Sequence, residues 1–317
     1  MSEVAPPENL PKDFDAPAVS GCTRLDHLGV IRVEGADAVK FLQGQLTQDF
    51  VLLQPGQSRL AAFCSAKGRM QASFIALKRS EQEVLLLCAA DLLAQTVRRL
   101  GMFVLRAQAR LSDDTARWRL WGLAGSSIPA DLSQTPWSAS EAFEGAVIRL
   151  YPAAGVSRAL LLSPADAPEP ATGLLAEGLW DWLDVRSGIA MVCQATHEAF
   201  VPQMLNYESV GGVSFKKGCY PGQEVVARSQ FRGTLKRRAF LVQGQASMAP
   251  GQEVFHAADP GQPCGTVAAA AARPGGGFDA IVSMQVAAAS GGLLRLGSAD
   301  GPVLELLPLP YPLLEDI

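Results

Sequence analysis

This chain has no CxxC pair and only three histidines. Its six cysteines, Cys22, Cys64, Cys88, Cys193, Cys219 and Cys264, are scattered. Zinc sites need closer ligand spacing, so an ordinary zinc module is excluded. A reducing compartment disfavours disulfides between such cysteines. No charged segment followed by an apolar stretch opens the sequence, so no secretory signal is expected. No apolar run is long and unbroken enough to span a bilayer. The expected location is the cytoplasm, without a membrane partner. Excess positive charge is also missing, because the formal net charge is −4. That argues against a nucleic-acid-binding surface over the whole molecule and leaves room only for a local basic patch.

What is present suits a folded chain. Hydrophobic residues make up 48% and charged residues 18% of 317 positions, enough for two or three domains with a sizeable core. Residues 1–20 carry Pro6, Pro7, Pro11 and Pro17 among polar residues and read as a tail. Leu28 to Val33 is a strand-like run closed by Gly35. Asp37 then opens a helix, with Ala38, Val39, Phe41, Leu42, Gln45 and Leu46 at helical spacing. Strand patterns follow at 60–64, 72–77 and 84–88, the first two joined by a turn at Lys67 and Gly68. Asp91 opens a second helix that Gly101 stops, and 103–111 reads as a strand. This order resembles a ferredoxin-like layout, with helices on one face of a sheet. A looser second round has strand patterns at 118–123, 146–151 and 159–162, then a helix over 172–186.

The pattern changes after Leu235. Short apolar runs recur at 239–242, 253–255, 265–270, 280–284, 293–296 and 303–307, separated by Gly- and Pro-rich turns. They predict a small all-β barrel. The alanines of 267–272 favour helix by propensity. Flanking strands and the breaker Arg273-Pro274-Gly275-Gly276-Gly277 assign them to a strand instead.

The chemistry concentrates between Phe200 and Arg238. Gly211, Gly212, Gly218, Pro221 and Gly222 force tight turns there. Cys219 sits among Lys216, Lys217, Arg228 and Arg232, and nearby cations favour a thiolate. Gln223 and Glu224 add hydrogen-bonding groups. Two readings stand open: a reactive or metal-binding thiolate, or a small buried hydrophobe in a structural loop. An iron–sulfur cluster takes about four protein thiolates. The nearest other cysteine in sequence is Cys193, so a cluster here would need ligands from a second chain or from a non-protein thiol.

The segment Lys217-Gly218-Cys219-Tyr220-Pro221-Gly222-Gln223-Glu224 resembles the K-G-C-[FY]-x-G-Q-E signature of the YgfZ family, folate-dependent iron–sulfur proteins related to the glycine-cleavage T-protein. Phe41 to Asp49 is similar to that family's F-L-Q-G-Q-x-T-x-D segment. Leu60 to Met70 is similar to its L-A-A-x-C-x-A-K-G-[KR]-M segment. Phe231-Arg232-Gly233, Lys236-Arg237 and Pro308-Leu309-Pro310-Tyr311 continue the likeness over nearly the whole chain.

The resemblance implies an α+β fold of T-protein type. Two interleaved ferredoxin-like α/β subdomains, roughly 21–115 and 116–234, would form a ring around a central folate channel, and 235–317 would form a six-stranded barrel. It implies tetrahydrofolate or a derivative as cofactor, with cations for the glutamate tail. Trp180 aligns with a tryptophan lining the family's folate pocket, whereas by its own spacing it is a core residue beside Leu183 and Ile189. Leu28 stands where the pocket's other aromatic is expected. Gln43, Gln45, Lys67, Arg69, Tyr220 and Gln223 complete the implied folate site, although Lys67 and Arg69 also read as solvated turn residues. Cys219 would be the reactive thiol or an iron–sulfur ligand, with Lys217, Glu224 and Arg228 shaping its surroundings. The aminomethyltransferase cousins carry paired aspartates in the first hairpin; here Gln71 replaces the acid and cannot act as a base.

Three functions follow as expectations. The leading one is a folate-binding accessory factor that assembles, inserts or repairs [4Fe–4S] clusters in client enzymes, such as the radical enzymes that methylthiolate tRNA. The others are a tetrahydrofolate-dependent one-carbon transferase and a direct tRNA-modification factor, the last using Arg228, Arg232, Lys236, Arg237 and Arg238.

Overall fold

The computed structural model describes residues 10–11, 14–142, 145–231 and 235–314. The chain opens with β1 (Gly21–Arg24) and β2 (Leu28–Glu34), then α1 (Ala38–Gln43). Three strands follow, β3 (Ser58–Cys64), β4 (Met70–Ser80) and β5 (Glu83–Ala89), then α2 (Ala90–Gly101) and β6 (Arg110–Asp113). A second run has β7 (Trp118–Ala124), β8 (Ala139–Ala142), β9 (Gly145–Arg149) and β10 (Arg158–Pro164), followed by α3 (Leu179–Arg186). After the Gly-rich segment comes α4 (Gln223–Phe231). The last part holds β11 (Arg237–Gly244), β12 (Glu253–His256), β13 (Asp259–Ala272), β14 (Phe278–Gln285), α5 (Val286–Ala289), β15 (Leu294–Leu296) and β16 (Val303–Leu307).

These strands make two antiparallel five-stranded sheets and a closed barrel. The sheet orders are β3-β4-β5-β2-β6 and β1-β7-β10-β9-β8, and the barrel runs β11-β14-β13-β12-β15-β16. The strand β1 explains why the halves are interleaved. It precedes β2 in the chain yet pairs with β7, Gly21 opposite Ala124, in the other sheet. The expected α+β ring-and-barrel architecture is therefore present, including the six barrel strands and the extended Ala-rich segment in β13.

The first sheet is buried on both faces, so its strands read as nearly continuous apolar runs. Leu60, Ile75, Leu77, Leu85 and Leu87 face the second sheet and the α3 region. Phe63, Phe74, Val84 and Leu86 face the helices α1 and α2. On α2, Leu92, Thr96 and Leu100 recur every fourth residue and are buried, which leaves Arg98 and Arg99 outside.

Several local expectations change. The expected strand at 103–111 is mostly a run of turns, closed by Phe103 N–H to Leu100 C=O and Ala107 N–H to Val104 C=O. Leu105 takes a positive φ of 44° there, and pairing resumes only at Arg110. The helix expected over 172–186 starts at Leu179, because Gly173 and Leu175 spend their backbone groups on Cys22 of β1. The first helix ends at Gly44, and Leu46 bridges to Phe63 instead of continuing it. Within the stretch read as a tail, Ala16–Ala18 forms a 3₁₀ turn, and the Phe14 ring meets Trp182 edge-on at 4.9 Å. Residues 1–9 lie outside the described residues. No described helix is long and apolar enough to cross a membrane.

The barrel is joined to α3 through one buried carboxylate. Asp279 on β14 accepts the Trp182 indole N–H at 2.7 Å and lies 3.5 Å from Arg186 and 3.4 Å from Arg273. Burial pushes the Asp279 carboxyl up, and the indole and the two guanidiniums pull it back. Removing one partner from a buried charge cluster strands the others in low dielectric. Asp279→Ala is expected to cost about 3–5 kcal/mol of unfolding stability, with the exposed Asp300→Ala near neutral, as read by urea denaturation.

Candidate functional site

A cavity of about 570 Å³ lies where both sheets, α3 and the barrel meet. Leu28, Ile75, Leu160, Trp180, Met191 and Ala269 give it apolar walls, and His27, Asp91, Asp181, Asp184 and the free, half-buried Cys193 supply its charged and titratable groups. The size falls within the range of small-molecule sites, and the mix of apolar walls and few polar groups is typical of them. The structure places Trp180 and Leu28 in this cavity, as the resemblance implied. Trp180 is also a core residue, only 3% exposed, so both readings of it hold.

The Trp180 ring is closely held. Gly122 of β7 lies against it, and a Cβ there would come within 2.5 Å of the ring. The Arg158 guanidinium sits 4.5 Å from the ring centroid and is paired with Asp184. Complete burial pulls Arg158 down to about 9. The Trp180 indole N–H itself is buried with no hydrogen-bond partner. The Trp121 indole N–H is in the same state. No described lysine or arginine lines the cavity, contrary to the cations expected for a glutamate tail. Sequence reasoning missed the three aspartates. Asp184 lies four residues beyond Trp180, the spacing that shares a helix face, and that signal was available.

The signature residues gather elsewhere, around the C-terminus of α1. The Lys217 ammonium is 6% exposed and donates to the backbone carbonyls of Gln43 and, at 2.7 Å, Leu46. It also sits 4.6 Å from the Tyr220 ring centroid. Burial pulls Lys217 down to about 8 from its ordinary 10.5, and Asp49 and Cys219 act in the opposite sense. Thr47 donates to the Gly212 carbonyl at 2.7 Å and accepts from the Ala62 N–H at 2.8 Å. The Gln48 amide donates to the Gly211 carbonyl at 2.6 Å. At Gly222, φ is +80°, and a Cβ would come within 2.4 Å of the Ser65 carbonyl oxygen. The three sequence segments that carry the resemblance are thus one packed unit.

Within that unit most implied ligand residues have structural partners. The Gln43 amide oxygen accepts the Phe50 N–H at 2.7 Å, while the Gln45 amide oxygen is buried without a partner. Arg69 donates to the Ala199 carbonyl, and Lys67 is an exposed turn residue. Tyr220 is buried, and Gln223 begins α4. None of these six lines the central cavity. Gln71 donates to the Glu198 carboxylate at 2.7 Å, as a neutral amide would.

Cys219 is exposed, which overturns the buried-hydrophobe reading. Cys22, Cys64, Cys88 and Cys264 are buried, and burial pushes the Cys64 and Cys88 thiols up to about 12. Glu224 and Arg228 bond to each other at 2.6 Å on the outer surface of α4. Among the described residues, no three His, Cys, Asp or Glu side chains come together as a metal site. Of the expected five-residue basic cluster, Arg228, Lys236 and Arg237 line one cavity. Arg238 is instead buried and paired with Glu208 at 2.7 Å, Arg237 also donates to the Cys264 carbonyl, and Arg232 lies outside the described residues.

The Lys217 contacts give a pH signature. Its folded pKa lies below its ordinary value, so between about 8 and 10.5 the unfolded chain binds more protons than the folded one. The cost of burying the ammonium is present below that window and is relieved as pH rises through it. Lys217→Met should lower stability at pH 7 by about 2 kcal/mol through its orphaned carbonyls. The wild-type advantage should widen between pH 8 and 10, as measured by urea unfolding of both proteins.

Residues 19–142 match the model of the GCVT N-terminal domain. The chain is 33% identical over 306 residues to tRNA-modifying protein YgfZ of Edwardsiella ictaluri, with 91% of each chain covered. It is 30% identical over 311 residues to the protein of that name from Yersinia enterocolitica, with 92% of each covered. Among solved structures, glycine cleavage system aminomethyltransferase T from Bartonella henselae matches 95% of this chain and 88% of its own, with TM-score 0.65 and 17% identity. That structure supports the fold, and the two sequence relatives, alike over nearly their whole length, carry the assignment: this chain belongs to the YgfZ family.

Proposed function

We propose that the protein binds a tetrahydrofolate in the central cavity and serves as an accessory factor in the assembly, insertion or repair of [4Fe–4S] clusters in client enzymes. Radical enzymes that methylthiolate tRNA are the client class in view. This would account for the relatives' name, tRNA-modifying protein, without direct contact with RNA. One observation carries the folate reading: a cavity of about 570 Å³ walled by Trp180 and aliphatic side chains, with three carboxylates in its lining. Asp91, Asp181 and Asp184 offer acceptors for the amino and ring N–H groups of a pterin, and Trp180 offers an aromatic wall. With no described cation in the lining, the glutamate end would be held outside this cavity.

The thiol reading rests on Cys219. It is the exposed cysteine among the described residues, on a loop anchored by its neighbour but one, Lys217. A lone thiol on an exposed, anchored loop suits exchange with a cluster or with an oxidised species on a client. The cluster is then cargo, completed by ligands from another molecule.

A second reading is tetrahydrofolate-dependent one-carbon transfer, favoured by the three carboxylates in the cavity. Formation of methylene-tetrahydrofolate from a methylated amine would establish it. Gln71, tied to Glu198, is a neutral amide where the cousins have an acid, and this weighs against it.

Anaerobic titration with tetrahydrofolate should quench tryptophan fluorescence saturably. Trp180→Ala, which removes the aromatic wall of the cavity, should weaken binding about tenfold and remove most of the quenching. Absence of binding in both proteins would remove the folate reading. In cells, Cys219→Ser should lower the activity of oxidation-sensitive iron–sulfur enzymes. Alkylation of the native protein at pH 7 should label Cys219 while Cys64 and Cys88 stay protected until unfolding.

A further inference from the structure

Between the Asp91 and Asp113 carboxylates the chain has no acidic residue, while Arg98, Arg99, Arg106 and Arg110 lie in that stretch. Arg110 stands opposite Glu34 in the register of β6 with β2 and is accounted for there. Arg98 and Arg99 are different. Both are exposed on α2, and neither has an ion-pair partner among the described residues. They border a second cavity of about 260 Å³, formed with Gln71, Gln95, Thr96 and His197, where Phe63 and Met102 supply apolar surface. No carboxylate among the described residues lines it.

Helix electrostatics explain part of this. Arginines in a last turn offset the negative end of the helix. That accounts for the charge but not for its convergence with residues from two other parts of the chain. His197 comes from the segment after α3, which is fastened to α2 where Asp91 accepts the Gln194 N–H at 3.0 Å. The Gln71 amide comes from β4 and is oriented by Glu198, a residue held at the strained φ of 57°. Glu198 itself lies outside the lining. Two adjacent guanidiniums, an imidazole and two amides thus surround one small, carboxylate-free space.

We propose that this cavity binds the phosphate of a phosphate ester. Two guanidiniums offer forked donors to an oxyanion of charge near −2, whereas a single carboxylate would leave one of them uncompensated. The remaining volume, with Phe63 and Met102 on one side and amides on the other, admits a small organic group attached to the phosphate. The ester is either a free phosphate monoester or the 5′-terminal monophosphate of an RNA chain, and both present the same dianionic group. The site is separate from the proposed folate cavity and does not depend on it.

The test uses the full chain and Arg98→Gln/Arg99→Gln, whose two positions are exposed, so the fold should persist. Thermal unfolding and the tetrahydrofolate titration serve as controls and should not change. Adenosine 5′-monophosphate is titrated calorimetrically, and a fluorescently labelled tRNA transcript with a 5′-terminal monophosphate by anisotropy at several salt concentrations. Saturable binding of the monophosphate, weakened at least tenfold in the double variant, supports the site with a small ester as its ligand. Binding of the tRNA alone, with a log–log salt slope that becomes shallower by roughly one to two in the variant, supports it with an RNA phosphate. Binding of neither probe, equal binding by both proteins, or displacement by glutamate as effectively as by inorganic phosphate would overturn it.

Discussion

The signature region depends on one ammonium group. The short helix α1 ends at Gly44, and the N–H groups of Gly44, Gln45 and Leu46 meet the carbonyls of Lys40, Phe41 and Leu42 but not that of Gln43, its last residue. Lys217, more than 170 positions away in the chain, donates to Gln43 and to Leu46 in the turn beyond it. A charge-assisted bond of this kind contributes about 1.5–3 kcal/mol, set against the cost of drying the ammonium. The cation also complements the negative end of the helix. Its main consequence is positional. With Lys217 inserted, the turn that carries Cys219 must lie over the end of α1, and Gly222 must press against the hairpin at Ser65. The same residue that caps a helix therefore presents a thiol to solvent at a defined place.

The rest of the architecture isolates a cavity. Interleaving through β1 holds the two sheets together by backbone pairing, and Asp279 ties the barrel to the helix that carries Trp180. Such junctions are hard to slide, since each buried polar group needs its partners in place. What they border is apolar apart from His27, three aspartates and the Cys193 thiol. Apolar walls with a few polar groups are what a small organic ligand needs.

The sequence carried most of the elements because both faces of the first sheet are covered and the barrel strands are separated by clear breakers. Residues 103–107 misled because their apolar composition suits a strand, while their backbone must turn to bring Arg110 alongside Glu34. The helix over 172–186 was drawn too long for a related reason: Gly173 and Leu175 are claimed by Cys22, a contact spanning about 150 residues. Motif likeness located Trp180 and Cys219 but blurred their relation. It grouped Gln43, Gln45, Lys67, Arg69, Tyr220 and Gln223 with the folate site, whereas none of them lines the central cavity.

Composition, periodicity and motif therefore determined the fold class and the barrel and singled out Trp180 and Cys219, since each of these is written in local pattern. Tertiary structure alone decided which polar groups are spent on the protein itself and which remain free. Lys217 and Arg238 are consumed by buried partners, Gln71 by Glu198 and Arg99 in part by the Phe103 ring, whereas Cys219 is exposed and Arg98 has no ion-pair partner among the described residues. That division is a matter of hydrogen-bond satisfaction across distant segments, and no spacing along the chain encodes it.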